Sequence, residues 1–365
     1  MKTLIFRKIA LILFTGFIQL SLFSVSGQEV SKSYHEVFTL TDRASLEIDN
    51  RYGNVDIRNR DDNEISIEVE ISVVHRDRDV AERQLSQIDI EFNQRNNDIK
   101  ATTIIDQGFS RQLLRLFSSG TSDTRIAVNY TVYAPADSDL KLTNRYGDIF
   151  INEATGHTFV DLRYGNLQAN SIIRDNTRPL SEINLAYSTQ ATVTEADWLK
   201  VNLRYSDLQV NRCRALVVSS SYSKVRVDQA SSIVTESRYG EFNLGDISNF
   251  VAESAYTNYS INNLSNTLDI QSRYGNVRID KMPAGFSKLR FESSYGNMKA
   301  GIDPDASYRI DASGSYGSVD VPGNRISRES RGGHFTLTGV VGAEADPQSL
   351  VEISTRYGNV DLTAP

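Results

Sequence analysis

Hydrophobic and polar residues alternate along most of the chain, in short arms that meet at a tyrosine. The positions four and six before this tyrosine are mostly aliphatic, and the positions three and five after it are apolar in all units but one. A period of two is typical of β-strands with one buried face. Because the apolar phase is even before the tyrosine and odd after it, one extra residue separates the arms. The pattern predicts a strand, a sharp corner and a second strand.

This motif recurs through the chain, for example as Arg145-Tyr-Gly-Asp-Ile and Arg273-Tyr-Gly-Asn-Val. Between Tyr187 and Tyr274 the repeat length is 17 or 18 residues. A unit this short cannot bury its own apolar face, so it must stack on copies of itself. Twelve units carry a tyrosine at the corner: Tyr52, Tyr146, Tyr164, Tyr187, Tyr205, Tyr222, Tyr239, Tyr256, Tyr274, Tyr295, Tyr316 and Tyr357.

A thirteenth unit is predicted at Ser330-Arg-Gly-Gly-His-Phe-Thr-Leu337, with Gly332 in the tyrosine slot. The hairpin signals that an antiparallel sandwich would need at about 8- to 12-residue spacing are missing from the sequence. The sequence therefore predicts an all-β fold, a single-stranded and right-handed β-solenoid (β-helix) of about 13 short coils. Strands of successive coils would pair about 4.8 Å apart.

The corner itself has a simple composition. The slot after the tyrosine is glycine in eight of the twelve units and serine or threonine in the others, and the next slot is mostly Asn or Asp. These residues tolerate positive φ and turn geometry at low cost. We therefore expect the unusual backbone angles of the corner to fall on them.

The tyrosine shares its phase with the aliphatic positions, so its side chain should point inward or line the corner. One interpretation is a stacked ladder that adds about 0.5–1.5 kcal/mol per ring pair. The other is an exposed, adhesive aromatic stripe. We predict the structural ladder, which would contain Tyr146, Tyr164, Tyr187, Tyr205, Tyr222, Tyr239, Tyr256, Tyr274, Tyr295 and Tyr316.

The residue before the tyrosine has the opposite phase and should face outward. From Tyr164 to Tyr295, arginine and a small residue alternate in this slot. Arginines in adjacent coils would lie about 4.8 Å apart and repel by roughly 0.9 kcal/mol even in water. The spacing leaves grooves that suit a carboxylate, a sulfate or a sugar; the alternative is a solvated face that only prevents aggregation. The candidate ligand-facing residues are Arg163, Arg204, Arg238 and Arg273.

Residues 1–27 have the features of a secretory signal peptide, with a basic start at Lys2, an apolar run from Ile9 to Phe23 and a small-residue cleavage site ending at Gly27. The run is short for a retained membrane anchor, which is the alternative. The 39 basic and 46 acidic residues become 36 and 46 after cleavage, a net charge of −10. An acidic surface disfavours nucleic acid as a partner. We expect an exported protein, at the cell surface, secreted or periplasmic, with no transmembrane segment in the mature chain.

Residues 28–135 are predicted to be an irregular, β-rich capping region, and residues 136–365 the repeat domain. Asp79-Val-Ala-Glu82 resembles a capping box that opens a short helix. The basic and apolar segment Ser110–Phe117 is expected to be a local lid, with membrane or partner contact as the alternative.

Residues that carry chemistry are sparse. Cys213 occupies a slot that is aliphatic in neighbouring units, which predicts a buried thiol, and no two of the four His have metal-ligand spacing. The turn Asp61–Glu64 could hold a cation, although a solvated turn is the simpler interpretation. The sequence thus predicts no catalytic, cofactor or metal residues and no enzyme activity.

Two stretches carry a resemblance to a known family. Tyr130-Thr-Val-Tyr-Ala-Pro-Ala-Asp-Ser-Asp-Leu-Lys-Leu142 leads into Asn144-Arg-Tyr-Gly-Asp-Ile149, and together with the recurring Gly-Asn corners they resemble the putative-adhesin family of exported bacterial β-strand-repeat proteins. The resemblance covers most of the mature chain. It implies a β-helical fold, no cofactor and no catalytic residues. This chain departs from the family's usual small corner residue by placing tyrosine there.

The functional hypothesis is a non-enzymatic, adhesin-like protein of the cell envelope that binds an unknown glycan or protein through a repetitive surface. Repetition makes weak sites strong by multivalency. A periplasmic structural or envelope-stress protein is the alternative. A polysaccharide-cleaving β-helix enzyme is the third hypothesis. The sequence does not predict the oligomeric state.

Overall fold

The computed structural model describes residues 27–110, 124–323 and 325–363. These residues form one continuous sheet of 24 strands and one helix, α1, with a further helical turn at 107–110. The predicted signal peptide up to residue 26 and most of the segment Ser110–Phe117 lie outside the described residues.

Seven strands are arms that run into a tyrosine corner from its N-terminal side: β2 (Ser45–Arg51), β8 (Asp139–Arg145), β10 (Thr158–Arg163), β12 (Ser181–Ala186), β17 (Lys288–Tyr295), β19 (Tyr308–Ser315) and β23 (Ser349–Arg356). Seven are arms that follow such a corner: β3 (Val55–Asn59), β9 (Ile149–Ala154), β11 (Leu167–Ile172), β16 (Val277–Met282), β18 (Met298–Ile302), β20 (Val319–Asp320) and β24 (Val360–Thr363). Two further strands, β6 (Asp98–Ile105) and β7 (Arg125–Ala134), pair in parallel with β2 and β3.

The central coils have longer strands that continue from one arm to the next: β13 (Ala191–Arg204), β14 (Asp207–Ser221) and β15 (Lys224–Tyr274). The two ends of the sheet contain β1 (Gln28–Thr39), β4 (Glu64–His75), α1 (Arg78–Leu85), β5 (Ile88–Arg95), β21 (Ile326–Arg331) and β22 (His334–Val341).

Successive units stack in parallel and in register. In β10, Val160 lies opposite Leu142 of β8 on one side and Ile183 of β12 on the other. All three side chains are fully buried. They occupy the position four before the corner tyrosine, so the alternation in the sequence places the core as predicted.

The first tyrosine motif belongs to this stack. β2 pairs in parallel with both β8 and β6, and β3 pairs in parallel with both β9 and β7. The predicted division between residues 135 and 136 therefore falls inside a continuous sheet. Beyond β7, β4 and then β1 add in antiparallel orientation, and α1 packs on these two strands.

Helix α1 begins one residue before the predicted capping box. Its N-cap is Asp77, whose carboxylate accepts hydrogen bonds from the backbone N–H groups of Asp79 and Val80. This side chain satisfies N–H groups that have no partner within the first turn. Ala81 and Gln84 are the buried residues of the helix.

The predicted thirteenth coil is wrong. Gly332 and Gly333 form the turn of an antiparallel hairpin between β21 and β22, with φ of 61° and 81°. Two glycines with positive φ are a hairpin signal, which the match to the repeat motif had obscured. β22 pairs antiparallel with β19 at one end of the stack.

The last two coils are out of chain order in space. β23 lies between β17 and β19, and β24 lies between β18 and β20. The coil of Tyr357 is therefore inserted between those of Tyr295 and Tyr316.

Candidate functional site

The twelve corner tyrosines form one continuous column of stacked rings. Adjacent ring centroids are 4.6–5.4 Å apart, with planes within 11° of parallel. Ten of the rings are 42–62% exposed, whereas Tyr52 is buried and Tyr274 is half-buried. The column lines the corner and does not point into the core. The ring faces are covered by their neighbours, so the surface presents ring edges and hydroxyl groups.

The backbone strain of the corner falls on the tyrosine, contrary to the expectation from sequence. Ten of the twelve tyrosines have φ between 51° and 65°. A bulky residue in this left-handed region costs about 1–2 kcal/mol. Each stacked pair returns about 0.5–1.5 kcal/mol. The stacking therefore offsets the strain of the column and leaves little net stabilisation.

The glycine after the tyrosine is needed for close approach, and most of these glycines do not have positive φ. A Cβ on Gly147 would lie 2.0 Å from the carbonyl oxygen of Gly53, and a Cβ on Gly165 would lie 2.0 Å from that of Gly147. Backbone atoms of neighbouring coils meet at this point, so a side chain has no space there. Gly275, with φ of 141°, is the exception in conformation.

The Asn or Asp in the next slot connects one coil to the next. The side-chain oxygen of Asn54 accepts from the backbone N–H of Asp148 at 2.9 Å, and that of Asp148 accepts from the N–H of Asn166 at 2.7 Å. The same contact joins Asn276 to Asn297 at 3.1 Å. The strand ladder is broken at the corner, and these side chains satisfy backbone N–H groups there.

The predicted arginines lie in one row beside the tyrosine column. Arg163, Arg204, Arg238 and Arg273 are exposed, and Ala186, Ser221 and Ala255 occupy the coils between them. We call this line of residues the arginine row.

The arginine row is longer than the sequence predicted. Ser294 lies in the next coil, followed in space by Arg356 and then Ser315, because the last coil is inserted between two earlier ones. Arg356 occupies the slot before Tyr357, but chain order places Ser294 and Ser315 before it, so the sequence did not indicate that Arg356 continues the alternation. At the other end of the row, Arg51, Arg145 and Arg163 occupy adjacent coils, so the alternation does not extend there.

A shallow groove follows the arginine row. One part is lined by Arg163, Arg204 and Arg238, and the other by Arg238, Arg273 and Arg356. Arg238 lines both parts, which makes the groove continuous. The hairpin residues His334–Thr336 line one end of the groove. The opposite rim carries polar residues three positions before the tyrosines: Asp161, Asn184, Asn202, Ser219, Glu236, Glu253, Gln271 and Glu292.

The arginines of the row differ in their partners. Arg163 contacts Asp161 at 3.4 Å, and the Arg204 guanidinium lies over the ring of Tyr205 at 5.8 Å. Within the described part of the chain, Arg204, Arg238, Arg273 and Arg356 have no carboxylate within 4 Å.

Arginines on the arm after the corner are paired instead. Arg226 contacts Asp228 at 3.1 Å, and Arg278 contacts Asp280 at 2.7 Å. The alternating part of the row therefore holds four arginines without an ion-pair partner: Arg204, Arg238, Arg273 and Arg356.

Cys213 is a buried core residue. Its thiol donates to the carbonyl oxygens of Asp197 and Ala215, and burial raises the pKa of Cys213 to about 12. Such a thiol is a poor nucleophile at neutral pH. In the turn after β3, Arg60 forms ion pairs with Asp62 and Glu64.

Other functional features can be stated only for residues 27–110, 124–323 and 325–363. Across these ranges no three His, Cys, Asp or Glu side chains are grouped so as to hold a metal ion. The helices in the same ranges are too short or too polar to cross a membrane.

Several known proteins are similar to this chain. A putative cell adhesion protein from Clostridium sporogenes is similar at 9% identity over 92% of this chain and 100% of its own, with a TM-score of 0.18. Putative adhesins from Parabacteroides distasonis (9% identity, 92% and 97% coverage, TM-score 0.28) and Bacteroides fragilis (8% identity, 90% and 96% coverage, TM-score 0.25) are also similar. No curated protein matches significantly. The Toastrack DUF4097 family profile matches residues 44–363. The chain therefore belongs to the Toastrack DUF4097 family.

Proposed function

We propose that this protein is an exported, non-enzymatic, adhesin-like component of the bacterial cell envelope that binds its ligand along the arginine row. The observation that carries the proposal is the set of four unpaired arginines at every second coil. A fixed positive charge on an acidic protein is a specific feature that attracts an anionic group.

The repeated geometry favours binding over catalysis. Each second coil presents the same guanidinium beside a small residue, whereas a catalytic centre needs one set of groups that differs from its surroundings. Several weak contacts on one rigid face add to a strong one, since later contacts form at high effective concentration. We propose a right-handed solenoid. Its stacked coils make the face that carries the arginine row rigid.

One pair of variants tests the role of the row. Arg204, Arg238 and Arg273 are replaced together by Ser, and the control replaces Arg212, Arg226 and Arg278, which lie on the other arm and are ion-paired. Both variants lose three positive charges. We expect the first to lose attachment to isolated envelopes and the control to retain it. Equal attachment by both variants, with intact β-sheet circular dichroism, would contradict the proposal.

A protease experiment on intact cells tests the location. Degradation of this protein while a periplasmic control survives is the expected result. Protection until the outer membrane is breached would favour the periplasmic structural or envelope-stress alternative. Release of new reducing ends from acidic polysaccharides would favour the enzyme alternative.

A further inference from the structure

We propose that the groove binds a linear anionic polysaccharide, laid along the stack axis, that carries one acid group for every two sugar units. This inference rests on the proposed function and names the class of ligand. It follows from the spacing of the charges, the groups between them and the closed faces of the tyrosine rings.

The spacing of the arginines sets the charge repeat of the ligand. Arg204, Arg238, Arg273 and Arg356 are each separated by one intervening coil. At about 4.8 Å per coil, guanidinium groups recur about every 9.6 Å, over a row of roughly 29 Å. A rigid polymer with acid groups at a similar interval can place each of them on an arginine without distortion.

The groups between the arginines suit neutral, hydroxyl-rich units. Ser221, Ala255 and Ser294 leave space beside each guanidinium. On the rim of these intervening coils, Glu253 is exposed, and its carboxylate has no ion-pair partner in the described residues. Carboxylate and amide oxygens accept hydrogen bonds from sugar hydroxyls. The groove thus alternates a site for an anion with a site for hydroxyl donors.

The same rim disfavours a denser polyanion. A nucleic acid strand carries a phosphate about every 3.4 Å, so two of every three charges would lie between arginines. Those charges would face the rim of the intervening coils, where Glu253 has no ion-pair partner, and like charges repel. A polymer with a sparse charge avoids this contact.

The tyrosine column limits how the ligand is held. Stacking of a sugar ring requires an open aromatic face, and here each face is covered by the next ring at about 5 Å. The exposed hydroxyls of Tyr222, Tyr239 and Tyr256 can form hydrogen bonds along the rim beside the row. Recognition therefore depends on charge spacing and hydrogen bonds.

The test titrates the full chain with hyaluronan oligosaccharides, which carry one carboxylate per disaccharide, using calorimetry at low salt. We expect affinity to rise with each added disaccharide and to level off when the oligomer spans the row. We expect the Arg204, Arg238 and Arg273→Ser variant to bind about 100-fold more weakly. The control variant at Arg212, Arg226 and Arg278 should change affinity by less than about threefold, because its arginines lie off the groove.

The outcomes separate this inference from the proposed function. If hyaluronan binds no better than neutral dextran while attachment to envelopes still depends on the row, the ligand class is overturned and the proposed function stands. Tighter binding of polygalacturonate or single-stranded DNA, with a charge on every unit, also overturns the sparse-charge match. If the row variant binds hyaluronan and envelopes as well as the unmodified chain does, both proposals are wrong.

Discussion

The end coils and the central coils form the same corner with different residues. At the ends, around Tyr146 and Tyr164 and again from Tyr274 onward, the strands stop at the corner, and the corner is Gly followed by Asn or Asp except at Tyr316, where Ser318 follows Gly317. The centre has five corners, from Tyr187 to Tyr256, of which three carry Ser after the tyrosine, one carries Thr and one carries Gly240. The strands stop at the three Ser corners, whereas β15 continues through the other two.

The two corner types satisfy different backbone groups. In an end coil, the Asn side chain accepts from the N–H two residues after the tyrosine of the next coil. In the centre, the buried Ser206 hydroxyl accepts from the Ser188 N–H, and Ser223 accepts from Ser206, both at 3.1 Å. Ten of the twelve tyrosines, at corners of both kinds, have positive φ, so in most coils the tyrosine sets the bend whichever residues follow it. The residues that follow the tyrosine vary, provided that the backbone N–H without a strand partner has an acceptor.

The largest expected effect comes from removing the last coil. Deletion of residues 348–365 removes β23 and β24, which lie between other coils and are not at the end of the stack. The coils of Tyr295 and Tyr316 then lose a shared partner, and their apolar faces become exposed. We expect aggregation or loss of cooperative unfolding, measured by light scattering and thermal denaturation. A fully cooperative, monomeric truncated protein would contradict the inserted position of this coil.

The next largest effect is the loss of stability when a corner glycine is replaced by alanine, which should be greater in an end coil than at Gly240 in the centre. Gly165→Ala places a Cβ 2.0 Å from a backbone carbonyl oxygen that cannot move, so we expect a loss of about 3 kcal/mol or more in the free energy of unfolding. The matched control is Gly240→Ala, where the closest atom is the Ser237 hydroxyl at 2.6 Å, which can rotate. We expect about 1 kcal/mol there, by chemical denaturation. Equal losses would mean that the two corner types do not differ in backbone packing.

A smaller effect tests the two kinds of hydrogen bond. Asn276→Ala leaves the Asn297 N–H without its acceptor, and Ser206→Ala does the same to the Ser188 N–H. We expect losses of about 1–3 kcal/mol for each, with the larger one at Ser206 because its site is buried. A larger loss at the exposed Asn276 would show that the central corners depend less on their hydroxyls.

The smallest effect concerns a central core column at high pH. Cys213 lies between Ala196 and Ala230, and burial raises the pKa of its thiol from 9.0 to about 12. The unfolded chain releases this proton near pH 9 and the folded chain does not, so stability falls as pH rises from 9 towards 12. We expect Cys213→Ala to reduce the loss between pH 8 and pH 10 by about 1 kcal/mol. An unchanged pH dependence would contradict the raised pKa.

Much of the repeat could be predicted from local patterns. Two-residue periodicity depends only on which side of a strand is buried, so the core positions, including Leu142 and Val160, followed from the sequence. The outward phase of Arg204 and Arg238 followed for the same reason. The buried position of Cys213 could be inferred from the aliphatic residues in the equivalent slots of neighbouring units.

The backbone of the corner could not be predicted in this way. Composition pointed to glycine for positive φ, yet ten of the twelve tyrosines adopt it. The reason is tertiary: carbonyl groups of adjacent coils approach the slot of Gly147 and Gly165 and exclude a side chain, so the tyrosine beside it takes the strained angle. Stacking on neighbours then offsets that strain, and no single unit contains this information.

By itself, the sequence determined that each unit is two strands joined by a corner and which positions face inward or outward. It also determined which residue type stands before each tyrosine. Only the tertiary structure decided the order of the coils, the hairpin at Gly332 and the place of Arg356 between Ser294 and Ser315. Periodicity depends on neighbours along the chain, whereas coil order depends on which strand edges remain open when the last segment pairs. The strand edges of similar repeats can all pair in parallel with one another. Packing in three dimensions therefore decides which strands β23 and β24 pair with.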